Sequence, residues 1–371
     1  MKKLINISEE MTIKPVFKTS IPVAFSSSDY FAPYLGVAIQ SIIDSSTPKN
    51  NYDIVVFTSD MSENNQNILC QMVSRNTNFS IRFVNVSEVF SHFKLHIWAH
   101  YSINGYFRLV APLFMKDYQK IIFLDSDLII LEDIANLYNI DIFDYSIGAC
   151  AEYFMLAIAE ICGQHVKDYL RKKLGFKDID KYFNTGVMIM NIPKFIKHNF
   201  PDILLDMVST FDYDILEQDA LNELFNEDVC YIPNEWNYAP LQKHMKEDKF
   251  LENMSDYGRE KYLAITQPKI LHFANRAKVW FYPDEDWAET WWKMARKTPY
   301  YELILANMIE HKIKQNNTDI TNVMNYKRTV LNYWKCKVLR NLTFGKKRKH
   351  YVRKKEKLKE KIRQAKEVLK R

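Results

Sequence analysis

The chain has 371 residues, 47% hydrophobic and 26% charged, with 8 glycines, a composition that excludes a disordered or fibrous protein and allows a sizeable core. Its net charge of +6 is unevenly spread: residues 345–371 hold 14 of the 51 Lys and Arg and 3 of the 45 Asp and Glu, leaving 37 basic against 42 acidic side chains before them. A net acidic body lacks the electrostatic footprint of a nucleic-acid binder, so no nucleic-acid partner is expected.

Cys70, Cys150, Cys162, Cys230 and Cys336 are odd in number and scattered, without a C-x-x-C pair, which points to a reducing, cytoplasmic setting. The opening MKKLINISEE reaches Glu9 too soon for a signal-peptide core, and no run approaches about 18 uninterrupted apolar residues. Neither a signal peptide nor a spanning segment is expected.

Short apolar runs rich in β-branched and aromatic residues predict strands at Ile21 to Phe25, Ile54 to Phe57, Ile81 to Val86, Ile121 to Leu124, Val187 to Ile192 and Ile270 to Phe273. Helices are predicted between them, from Ser62 as N-cap to Val73 and from Gln218 to Phe225. This alternation predicts an α/β fold with a mostly parallel sheet, in which ligands sit beyond the carboxyl ends of strands. Trp280, Trp287, Trp291 and Trp292 fall within thirteen residues; a helix packed on the main domain is favoured over a sugar-stacking or membrane-interface role. At the end, Val352, Leu358, Ile362, Ala365 and Leu369 form a thin apolar stripe among Lys and Arg, the pattern of a basic amphipathic helix.

The chemistry concentrates in IIFLDSDLIIL, residues 121–131, where Asp125 and Asp127 interrupt what reads as a strand buried on both faces. Unpaired charge there costs several kcal/mol, so a cation or hydrogen bonds should hold the pair. Residues two apart in extended backbone point the same way, so both carboxylates can meet one hard divalent ion. The competing structural reading is a strand that turns into solvent after Leu124, but Leu128 to Leu131 resumes the apolar run at once. Neither GxxxxGK[ST] nor GxGxxG occurs. A second polar set does follow a strand: His272 offers a nitrogen ligand, and Lys278 a point charge for phosphate.

Six segments in order, VAFSSSDYFAPYLGVAIQSI, YFRLVAP, KIIFLDSDLII, YFNTGVMIMNI, EQDALN and HFANRAKVW, resemble glycosyltransferase family 8. That family comprises retaining enzymes of the GT-A (Rossmann-like) nucleotide-diphosphosugar transferase fold. It includes bacterial lipo-oligosaccharide galactosyl- and glucosyltransferases and, more distantly, glycogenin. The resemblance implies an N-terminal extension at 1–19, a GT-A catalytic domain at 20–292 and a helical, basic C-terminal extension at 293–371. It makes Asp125, Asp127 and His272 the ligands of Mn²⁺ (or Mg²⁺) and Lys278 a pyrophosphate contact. Arg108 would help hold the donor, Asn184 would face its sugar, and Gln218 would lie beneath the anomeric carbon, with Glu217 or Asp219 as the alternative transient nucleophile. Ser126 and Asn275 belong to the same donor-binding segments. Where the family often has D-x-N-Y after the first strand, Ser28, Asp29 and Phe31 stand at the uracil and ribose contacts. Glu217 replaces a common Asp, and Asn275 and Val279 replace the Gly and Pro of H-x-x-G-x-x-K-P-W; asparagine is the non-glycine residue that best tolerates left-handed backbone.

The function implied is transfer of a hexose from a UDP-sugar to a glycan, a glycoconjugate or a lipid-linked acceptor, as in cell-surface polysaccharide, lipopolysaccharide or glycoprotein-glycan synthesis. The candidate acceptor stretch, Asp144 to Lys181, carries no motif. Two other readings are a nucleotidyltransferase, which would have no use for the His272 to Lys278 loop, and a noncatalytic glycan-binding or scaffolding module. For the tail, a solvated helix competes with peripheral attachment to an anionic inner-membrane surface.

Overall fold

The computed structural model describes residues 7–97, 102–342 and 345–368. The chain divides into two units, Met1–Ile304 and Leu305–Arg371.

In the first unit the strands, in chain order, are β1 (Ile21–Ser26), β2 (Tyr52–Thr58), β3 (Phe79–Asn85), β4 (Lys120–Leu124), β5 (Leu128–Ile130), β6 (Ile147–Ala151), β7 (Phe183–Asn191), β8 (Val229–Tyr231) and β9 (Ile270–His272). Among the described residues they form a seven-stranded sheet in the order β3-β2-β1-β4-β7-β6-β8 and a two-stranded sheet of β5 with β9. β1 to β4 are parallel, as the alternation predicts, whereas β7 runs antiparallel to both β4 and β6. β1 and β2 are buried along their whole length, which is why they read as continuous apolar runs.

The helix Glu63–Val73 begins at Ser62, whose Oγ accepts a bond from the Asn65 amide. The tryptophans belong mainly to the core. Trp280 stacks on Tyr34 at 4.3 Å between ring centroids, Trp291 is fully buried in the helix Ala288–Ala295, and the Trp292 ring N–H donates to the Val279 carbonyl at 3.0 Å. Trp287, just before that helix, remains partly exposed.

The strand expected through Asp125 and Asp127 is broken. β4 ends at Leu124 in the large sheet, and β5 resumes at Leu128 in the small one, pairing with His272. The two carboxylates converge because the chain changes sheets between them, and not through strand alternation.

The second unit holds the helix Gly345–Val368 and most of the helix Tyr301–Leu342. In the former, Leu358 and Ile362 are half-buried and Val352 is exposed; Leu369, Lys370 and Arg371 lie outside the described residues. Among the described residues no helix is long and apolar enough to cross a membrane.

Candidate active site

A cleft of about 320 Å³ opens at the carboxyl ends of β1 and β4, walled by Ser26 to Ser28 and Phe31 where β1 leads into the first long helix and by Glu217 and Gln218 at the start of the helix Leu216–Phe225. Its floor is the break between β4 and β5. The Asp125 amide donates to the Gly186 carbonyl at 2.8 Å, and Ser126 Oγ donates to the Ser26 carbonyl at 2.8 Å, so the turn is tied to β7 and β1. Phe273 N–H donates to the Asp127 carbonyl at 3.0 Å, which brings β9 alongside.

One oxygen or nitrogen from each of Asp125, Asp127 and His272 lies within 4.8 Å of the others. His272 is 2% exposed, with Nδ1 2.8 Å from Asn237 Oδ1. That acceptor fixes the proton on Nδ1 and leaves Nε2 directed at the carboxylates, 3.3 Å from Asp127 Oδ1 and 3.5 Å from Asp125 Oδ2. Asp127 Oδ1 and His272 Nε2 are buried and form no hydrogen bond. They face each other only as an ion-pair contact of the charged ring, an arrangement that leaves both free to take a shared cation. These residues therefore fit a divalent cation: two carboxylates and an imidazole suit Mn²⁺ or Mg²⁺.

Cations of the protein flank the triad. Arg108, 3% exposed, donates to Asp125 at 2.5 Å and to the Thr185 carbonyl at 2.5 Å, and lies 3.5 Å from Glu217. Lys278 donates to Asp127 at 2.7 Å and to the Phe273 and Ala274 carbonyls. Burial opposes ionisation of both aspartates, but Arg108 beside Asp125, and Lys278 with His272 beside Asp127, hold the carboxyls below their ordinary range. Burial also disfavours the charged imidazole, yet Asp127 and Asp125 push His272 up to about 9.

The remaining predicted residues divide. Asn184 lines the cleft; its amide donates to Glu152 at 2.7 Å, and its carbonyl accepts from Asn237 at 2.9 Å. Gln218 also lines it, with Oε1 accepting from the Thr185 amide at 3.0 Å and Nε2 donating to Tyr182 at 3.2 Å. Glu217 is buried in the wall, and burial raises its pKa against the pull of Arg108. Asp219 does not line the cleft: it is fully buried and accepts from Tyr169, Tyr182 and the Ile215 amide. Asp29 accepts from Ser62 N–H and Asn65, which ties it to the start of the second helix. Asn275 sits in the loop before Lys278 without left-handed backbone, so the glycine replaced there is not needed for its conformation.

Four further residues shape the site. Glu152 lines the cleft, and burial raises its pKa in spite of the Asn184 bond. Asn237 orients His272. Gly186 permits the whole triad: a Cβ there would lie 2.2 Å from His272 Cε1 and 2.8 Å from Asp125 Oδ2. A glycine inside the buried run FNTGVMIMN is itself a sequence signal of close approach. Leu216, at φ 40°, makes the left-handed step that starts the helix Leu216–Phe225 carrying Glu217 and Gln218.

A model of the family described as Glycosyl transferase family 8 matches residues 22–284. General stress protein A of Bacillus subtilis is 25% identical over 263 residues, covering 68% of this chain and 85% of its own. Among solved structures, an active-site mutant of LgtC superposes with a TM-score of 0.62 at 26% identity, over 75% of this chain and 96% of LgtC. The WbbM bifunctional glycosyltransferase gives 0.73 at 27%, over 80% of this chain but only 53% of WbbM, so the chain spans about half of that protein. With the match running through the cleft, from the start of β1 past Lys278, and with the sheet of a GT-A fold around it, the chain belongs to glycosyl transferase family 8.

Proposed function

We propose that this glycosyltransferase moves a hexose from a UDP-hexose to a glycan, glycoconjugate or lipid-linked acceptor with retention of anomeric configuration, using Mn²⁺ or Mg²⁺. The observation that carries the reading is the pair of buried, unsatisfied ligand atoms, Asp127 Oδ1 and His272 Nε2, facing each other beside Asp125. A divalent cation held by these three residues supplies Lewis-acid neutralisation of a diphosphate leaving group.

The chain's own groups do the rest. Lys278 and Arg108 add fixed positive charge where negative charge grows on the departing β-phosphate. Asn184, Glu152 and Glu217 offer polar groups to sugar hydroxyls in the cleft. Gln218 is an amide, a poor nucleophile, and its hydrogen bonds to Thr185 and Tyr182 hold it rigidly at the wall. Asp219 is engaged by three donors away from the cleft. Front-face attack, in which the leaving phosphate takes the acceptor's proton and Gln218 stabilises positive charge on the sugar, is the mechanism these groups support. Ser28, Phe31 and Ser126 in the cleft wall, with Asp29 and Asn275 in the adjoining loops, are the proposed remainder of the donor site. The basic helix Gly345–Val368 is read as a reversible attachment to an anionic cytoplasmic membrane face.

The test is UDP release from UDP-glucose, UDP-galactose and UDP-N-acetylglucosamine with Mn²⁺ and no acceptor. Release from one donor, with NMR showing a retained anomer in the fresh product, is expected. Pyrophosphate release, or UDP binding without turnover of any donor, would overturn the reading in favour of a nucleotidyltransferase or a noncatalytic module.

A further inference from the structure

The arch that carries Lys278 is held from one side by a segment that also reaches the metal site. Residues 237–242 run beside 272–277 in step: Asn237 meets His272 and Gln242 meets Ala277, each pair 35 residues apart in the chain. Beside the first of these contacts, the Tyr238 carbonyl accepts from the His272 amide at 2.8 Å.

Gln242 is 4% exposed, and its side chain satisfies both backbone groups of one residue. Nε2 donates to the Ala277 carbonyl at 2.7 Å, and Oε1 accepts from the Ala277 amide at 3.1 Å. The orientation of the side-chain amide is forced, because a carbonyl only accepts and an amide N–H only donates. A buried glutamine used in this way stands in for a neighbouring strand, although residues 274–278 form a loop and are half-buried or exposed. The arch is fastened at its ends, where the Phe273 amide donates to the Asp127 carbonyl and the Trp292 ring N–H to the Val279 carbonyl, each at 3.0 Å. Gln242 holds the stretch between.

The Ala277 carbonyl belongs to the planar peptide that ends in the Lys278 amide nitrogen, so a bond to that oxygen fixes where the Lys278 side chain starts. From that start the ammonium spans to Asp127 Oδ2 at 2.7 Å and to the Phe273 and Ala274 carbonyls at 2.7 and 3.1 Å. Lysine is a point charge on a flexible four-carbon stem, and a loose arch would let that charge wander. A fixed arch keeps it aimed beside the cation, with no reorganisation left for the moment of reaction. We propose that Gln242 is a positioning residue that sets Lys278 against the β-phosphate of the donor, and with it the preference of the site for a nucleoside diphosphate over a monophosphate. The proposal rests on the reading of Lys278 as a diphosphate contact. A bond that merely stabilised the fold would leave that preference alone.

Calorimetric titration of the full chain with UDP and with UMP, each with Mn²⁺, tests it in the wild type, Gln242→Met, Lys278→Ala and the double variant. Methionine keeps the length of glutamine and loses both hydrogen bonds. Gln242→Met should weaken UDP binding roughly tenfold, the effect of one misplaced charge-assisted hydrogen bond, and leave UMP binding within about twofold. Gln242→Glu, which keeps an acceptor for the Ala277 amide and sets a carboxylate oxygen against the Ala277 carbonyl, should show the same split. In the Lys278→Ala background, Gln242→Met should cost little more, because the group it positions is gone. Equal losses on UDP and UMP, UDP affinity unmoved by both Gln242 variants, or a loss that adds in full to that of Lys278→Ala would overturn the positioning role while leaving the donor reading intact. Unchanged UDP affinity in Lys278→Ala would overturn the diphosphate contact on which the proposal rests, and a wild type that binds no UDP would overturn the donor reading itself.

Discussion

His272 Nδ1 lies 2.8 Å from Asn237 Oδ1, so one buried amide decides which imidazole nitrogen is left for a cation. Asn237 in turn donates to Asn184 in the cleft wall, which links the ligand set to the residue proposed to face the donor sugar.

Replacing Asn237 with Ala should weaken Mn²⁺ binding about 10–100-fold, the usual effect of losing the partner that orients a ligating histidine. Calorimetric titration measures it, and saturating Mn²⁺ should restore most UDP release. Unchanged Mn²⁺ affinity would argue against a ligand role for His272. Asp127→Asn, nearly isosteric, should fold normally and lose most activity. His272→Ala should be milder, because a neutral nitrogen gives a hard ion less than a carboxylate does.

Gly186→Ala should abolish metal-dependent turnover. The added methyl would sit 2.2 Å from the His272 ring and 2.8 Å from Asp125 Oδ2, and the Gly186 carbonyl is held at 2.8 Å by the Asp125 amide, so making room would move the ligands themselves. Its control is Gly258→Ala, whose nearest contact would be Ser255 Oγ at 3.1 Å and which should bind Mn²⁺ normally.

A proton competes with the cation at His272. With its pKa raised to about 9, the metal-free ring is protonated at neutral pH, so Mn²⁺ binding there must release a proton. Affinity should rise up to tenfold per pH unit toward about 9 and then level off. Calorimetry at pH 7.5 in buffers of different ionisation enthalpy should register that proton. The raised pKa also makes charged His272 stabilising in the metal-free protein, fully so below its ordinary value of 6.5. That contribution should fade as pH climbs through about 9.

Gln218→Ala should lower kcat roughly 10²-fold through lost electrostatic stabilisation while moving KM little. An inverted anomer in the product, seen by proton NMR, would contradict both the retaining mechanism and the role proposed for Gln218.

Deleting residues after Thr343 should leave UDP release intact, since the proposed donor and metal groups all precede Trp280. Recovery on anionic vesicles at low salt should fall sharply, because each Lys or Arg near such a surface contributes about 1 kcal/mol. Added salt should release the full chain in the same way. Equal vesicle recovery with and without the tail would leave the solvated-helix reading.

The central strands were legible because burial on both faces leaves unbroken apolar runs: β1, β2 and β4 begin and end within two residues of the expected bounds. β6 and β8 were not. The sequence of β6, IGACA, is short and carries small side chains, and β8 is three residues long at the sheet edge, too brief for a period to register. The antiparallel course of β7 depends on how distant segments pair, which local patterning does not encode. At the site, Asp125 and Asp127 were conspicuous as charges in an apolar run. Glu152 was not, because nothing around it in AEYF is out of place for a loop. Asp219 drew attention beside Gln218, yet its partners Tyr169 and Tyr182 arrive from a different part of the chain.

The triad straddles two sheets, Asp125 at the end of the large one and His272 within the small one, which is joined by only three residue pairs. Although both strands are buried, few ladder bonds cross between them, and anything that binds both margins of the seam adds its own free energy to holding it shut. The amides of Ile129 and Leu271 should therefore exchange deuterium more slowly once Mn²⁺ and UDP are added, while those of β1 and β2 keep their rates. In this protein the substrate-bearing cation would act as a clasp, and the ribbon of β5 and β9 as the part of the fold that records whether it is closed.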